Sequence, residues 1–112
     1  MYNYSFLLHT YEKMLKDAKD STTRSVYQNI VDTLRNSYEE VKQQTGKDLT
    51  EEQEAITIAH VRMIVTSWQI SATQWYHRAS TDYGKRESGI LLDLYGFLLY
   101  LSQTPIPELP YN

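Results

Sequence analysis

The sequence predicts an all-α fold, an antiparallel four-helix bundle followed by an extended, proline-containing C-terminal tail. Three observations carry this reading. Apolar residues recur at three- and four-residue steps along most of the 112 residues. The breaks between these stretches hold N-capping residues or glycine. The most apolar run, Ile90–Leu101, has the length and leucine content of a helix and lacks the β-branched enrichment of a strand. The expected helices cover 4–19, 22–45, 51–80 and 87–102, within one domain at 1–103, with the tail at 104–112.

Each element has its own signature. In the first helix Tyr4, Leu7, Leu8, Tyr11, Met14, Leu15 and Ala18 form one stripe, with Glu12, Lys13, Lys16 and Asp17 between them. Asp20-Ser21-Thr22-Thr23 ends that helix and starts the next, because short polar side chains compete for backbone hydrogen bonds and make good N-caps. Val26, Tyr27, Ile30, Val31, Leu34, Tyr38 and Val41 give the second stripe, and Gly46 its C-terminal stop. Thr50-Glu51-Glu52-Gln53 has the form of a capping box, with acidic residues suited to the positive end of the helix dipole.

The third helix reads as apolar on more than one side. Ala55, Ile58, Ala59, Val65, Ala72, Tyr76 and Ala79 mark one stripe, and Ile56, Met63, Ile64, Trp68 and Trp75 a second. Such a helix is either central in the fold or part of an oligomer interface, and it either runs to about Ser80 or bends near Thr66-Ser67 or Ser71. Ser80–Gly89 reads as a polar connection. The fourth helix reads as buried nearly all round, with Gly96 placed for close helix approach and the later prolines forcing an extended tail.

Composition narrows the function classes. Eleven Lys and Arg against 14 Asp and Glu give a net charge of −3, which argues against a dedicated nucleic-acid binder. The absence of cysteine removes disulfides, thiolate metal sites and cysteine nucleophiles, and it fits a reducing, cytoplasmic setting. The N-terminus lacks the basic and apolar regions of a targeting segment, and Ile90–Leu101 is too short to cross a bilayer.

No catalytic or metal-binding motif emerges, and no cofactor is expected. His9, His60 and His77 form no His-Glu-x-x-His or Glu-x-x-His pair, and the last two lie seventeen residues apart. Glu39, Glu40, Glu51, Glu52, Glu54, Glu87 and Asp93 do not meet the Glu-Glu-x-x-Glu and Glu-x-x-Asp spacings of all-helical magnesium-dependent pyrophosphohydrolases. No phosphate-cradling glycine loop or nucleophile elbow is present.

Protein recognition remains. The chain has 10 tyrosines, and large aromatic side chains bury much area at small entropic cost. The candidate interface comprises Trp68, Trp75, Tyr76 and Arg62, together with Leu109 and Tyr111 of the tail. Arg62 is the only formal charge between Ala55 and His77, so it is expected either to snorkel or to meet a carboxylate, from Asp93 or from a partner. The partner is another protein or a second copy. The size and helical layout are similar to those of small immunity, inhibitor and anti-defence proteins of bacteria and phages, an analogy of architecture that no motif carries. The alternatives are a nucleic-acid-associated regulator using Arg78, Lys85 and Arg86, and a divergent carboxylate-metal hydrolase.

Overall fold

The computed structural model describes residues 4–46 and 50–103. Four helices follow in order: α1 (Tyr4–Asp17), α2 (Ser21–Thr45), α3 (Glu51–Arg78) and α4 (Asp82–Leu101). Leu109 and Tyr111 lie outside the described residues.

The boundaries follow from side-chain chemistry. Asp20 caps α2 by accepting the Thr23 N–H at 2.9 Å. Gly46 closes α2 in the left-handed conformation, φ 68°, and donates its N–H to the Lys42 carbonyl. The capping box at Thr50 is complete: Gln53 N–H donates to the Thr50 hydroxyl at 3.2 Å, and Thr50 N–H to the Gln53 side-chain oxygen at 3.0 Å.

Consecutive helices pack antiparallel. Tyr4 stacks on Tyr38 and Tyr11 meets Tyr27 edge-on, so α1 runs against α2. The most extensive contact is between α3 and α4. Tyr4, Leu7, Tyr11, Val26, Ile30, Val31, Leu34, Val61, Val65 and Leu98 fill the core between the helices. Two small polar residues, Thr57 and Ser88, are wholly buried. Each donates its hydroxyl one turn back in its own helix, to the Gln53 and Gly84 carbonyls.

Two buried tyrosines differ in kind. The Tyr4 hydroxyl donates to the Leu34 carbonyl at 2.9 Å, and burial pushes its pKa up to about 12. The Tyr11 side chain is fully buried, and its hydroxyl has no hydrogen-bond partner among the described residues. Burial also raises the Tyr11 pKa.

The structure corrects two expectations. Residues 82–89 form the first two turns of α4 rather than a polar connection, and the link from α3 is only 79–81. Thr81 caps the new helix by accepting the Gly84 N–H at 3.0 Å, and Asp82 suits its positive end. Helix α3 takes the first of the two courses left open for it and runs as one helix from Glu51 to Arg78. Close helix approach falls at Gly84 rather than Gly96. A Cβ at Gly84 would lie 3.0 Å from the Ala79 Cβ, whereas one at Gly96 would find its nearest neighbour at 3.8 Å.

Candidate functional site

The short link between α3 and α4 decides where Arg62 points. Residue 62 comes level with the C-terminal end of α4, and its guanidinium donates to the Leu99 carbonyl at 2.5 Å and to the Ser102 hydroxyl at 2.6 Å. Leu99 belongs to the last turn of α4, where the Ser102 and Gln103 N–H groups go to the Leu98 and Tyr100 carbonyls and the Leu99 carbonyl is met by the Ser102 and Arg62 side chains; the negative end of the helix dipole favours a cation there. Of the two outcomes open for Arg62, the pair with Asp93 does not form: Asp93 is exposed on α4, and Arg62, half-buried, holds the end of α4 instead.

The aromatic residues separate into two groups. Trp68 is half-buried and packs on Tyr95, ring centroids 5.7 Å apart, so it belongs to the packing between α3 and α4. Trp75 and Tyr76 are exposed near the α3–α4 turn. A shallow cleft of about 210 Å³ runs from Trp68 past Ala72 to Trp75, closed by Leu91 and Tyr95 of α4.

Around that turn the basic residues meet aromatic faces. The Lys85 ammonium lies 4.4 Å above the Tyr76 ring and donates to the Tyr76 carbonyl at 2.6 Å. Arg86 lies 6.0 Å from the Tyr83 ring centre. Arg78, Lys85 and Arg86 are all exposed, so the structure gathers them with Trp75, Tyr76 and Tyr83 at one end of the molecule. Arg62 is at the far end of the α3–α4 pair.

A second surface was not assembled by the sequence stripes. Ile56, Met63 and Ile70 are 56%, 71% and 55% exposed and stand seven residues apart along the outer face of α3. With Ala59 they form an apolar ridge. A groove of about 550 Å³ flanks one side, lined by Ala55, Arg62, Thr66 and Ile70. A second, of about 360 Å³, flanks the other and is lined from α2 by Glu40, Val41 and Gln44 and from α3 by His60. Both grooves include Ala59 and Met63. Phe97 and Tyr100 add exposed aromatic surface on α4. The signal that finds this ridge in a sequence is the seven-residue repeat itself.

Among the described residues no three His, Asp or Glu side chains stand together as metal ligands do. No described helix is long and apolar enough to cross a membrane. No protein-family model, curated protein or solved structure matches the chain.

Proposed function

We propose that this chain is a non-enzymatic protein-binding module, of the kind that serves as an inhibitor, immunity factor, adaptor or assembly chaperone, and that it binds through the outer face of α3. The observation that supports this reading is the ridge of Ile56, Met63 and Ile70, each more than half exposed on one helix face. Contiguous apolar surface of this kind weakens solubility unless a partner covers it, and it marks interaction sites. A cytoplasmic setting belongs to the same reading, supported by the cysteine-free composition.

A photo-reactive residue placed at position 63 tests the proposal in the native host, with the same residue at exposed Lys13 on α1 as control. The expected result is a defined polypeptide cross-linked at 63 and absent at 13. Equal or no cross-linking at both positions overturns it.

One observation favours a second reading, nucleic-acid association: Arg78, Lys85 and Arg86 stand exposed beside Tyr76 and Tyr83. Binding of a labelled single strand that weakens steeply with salt, and is lost in a Lys85→Glu/Arg86→Glu variant, would support it.

A further inference from the structure

We infer that the occupant of the α3 ridge is a second copy of this chain, packed antiparallel with Met63 on the two-fold axis. The inference rests on the proposal that the ridge is a protein-binding face.

The first argument is register. Residues seven apart on a straight α-helix drift by about 20° per step, and they keep facing one neighbour only when two helices wind around each other. Ile56, Met63 and Ile70 have this spacing, and it is symmetric about Met63. An antiparallel pair centred there sets Met63 against its own copy and Ile56 against the partner's Ile70. Ala59 then opposes the partner's Ser67, so large residues meet large ones and small residues allow close approach.

The second argument is charge. The first turn of α3 carries Glu51 and Glu52, and its last turn carries His77 and Arg78. Antiparallel packing brings the acidic end of each copy beside the basic end of the other and opposes the two helix dipoles. Parallel packing would align Glu51 and Glu52 with themselves.

The third argument is shape. A two-fold interface must be self-complementary, each copy offering the surface it receives. The ridge meets that condition about Met63, because the spacing of Ile56, Met63 and Ile70 reads the same in both directions along the helix.

The chain has no cysteine, so single cysteines report the register directly. The unmodified protein is expected to sediment as a dimer at micromolar concentration. Met63→Lys, at a position 71% exposed, should weaken dimerisation at least a hundredfold with unchanged helical circular dichroism. Under mild oxidation Met63→Cys should form a disulfide-linked dimer. Ile56→Cys alone should not, but it should cross-link when mixed with Ile70→Cys. Self-linking of Ile56→Cys overturns the antiparallel register. A dimer indifferent to Met63→Lys overturns the ridge as the interface. A wild-type monomer at high micromolar concentration overturns self-association. In that last case, cross-linking of position 63 to another protein would leave the binding-face proposal standing, and cross-linking to residues 104–112 of the same chain would remove both.

Discussion

Replacing Arg62 by methionine separates the role the structure gives this residue from the one expected of a buried ion pair. Methionine keeps an apolar stem of similar reach, so the packing of the side chain is largely retained. What is lost is a pair of charge-assisted hydrogen bonds, to the Leu99 carbonyl and the Ser102 hydroxyl. Hydrogen bonds from charged groups contribute roughly 1.5–3 kcal/mol in favourable settings. A cation at a helix C-terminus adds about 0.3–1 kcal/mol. Arg62 is only half-buried, and water can replace part of what is removed, so the net expected loss is about 2 kcal/mol. Both bonds come from one guanidinium nitrogen, Nη1, and Arg62→Lys keeps the charge and several N–H donors on one nitrogen, so about half that loss is expected. Urea unfolding followed by circular dichroism measures both. The Met63→Lys background keeps subunit association out of the midpoint. A loss below about 0.5 kcal/mol would mean that the contact to α4 contributes nothing in solution. A loss of about 3–5 kcal/mol would instead point to a carboxylate left buried without its partner, and it would refute the placement on the end of α4.

The remaining predictions concern the core and the caps. Tyr4→Phe should cost about 1 kcal/mol through its lost bond to the Leu34 carbonyl, whereas Tyr11→Phe should be neutral or stabilising because it removes a buried hydroxyl with no described partner; thermal melts decide between them. Gly89→Ala and Gly96→Ala should each stabilise by about 0.5–1 kcal/mol, and Gly84→Ala should destabilise, because its Cβ would meet Ala79 at 3.0 Å. The Asp20 carboxyl is held below its ordinary pKa by the Thr23 N–H and hydroxyl. Its contribution is therefore present above the unfolded-state pKa of about 3.9 and fades as the pH falls through the lower folded value. Asp20→Ala should accordingly melt earlier than wild type at neutral pH, and the two should converge in strong acid. Tyr4, Tyr11 and Tyr95 all have raised pKa values, with Tyr4 at about 12. Stability should be intact below pH 10 and fall as the pH rises from about 10 towards 12, seen as loss of helix coincident with tyrosinate absorbance.

The first two helices are legible in the sequence because each buries one face, so a single stripe of apolar residues maps onto the core. Leu7, Tyr11, Ile30 and Leu34 all lie where the stripes put them. The third helix is harder to read because apolar residues on it serve two different neighbours. The stripe reading joins Ile56 and Met63 to Ile64 and Trp68, yet the first two face outward, Ile64 is half-buried and Trp68 packs against the core. It also passes over Thr57 and Val61, which are buried, and Ile70, which completes the ridge. The threonine escapes because its polarity hides a hydroxyl already satisfied within its own helix. The start of the fourth helix is missed for a similar reason. Ser80–Gly89 is polar and holds two glycines, which in isolation favour a loop. Only the packed neighbour shows that Gly84 serves the approach of α4 to the end of α3. The direction of Arg62 depends on that boundary and could not be fixed before it.

The three-residue link at 79–81 bears on how the chain folds. It joins the two helices that share the largest contact, so much of the native interface forms between segments that are neighbours along the chain. Closing so short a turn costs little chain entropy, and topologies dominated by such local contacts fold on microsecond-to-millisecond timescales. The α3–α4 hairpin is therefore the natural nucleus, stitched at one end by Thr81 and Gly84 and at the other by Arg62. The α1–α2 hairpin would then dock onto a surface already presented by Val61 and Val65. Under this order, substitutions at Ala72 or Tyr95 slow folding, while those at Leu7 chiefly speed unfolding, and the life of the native state is set by how tightly the first hairpin holds.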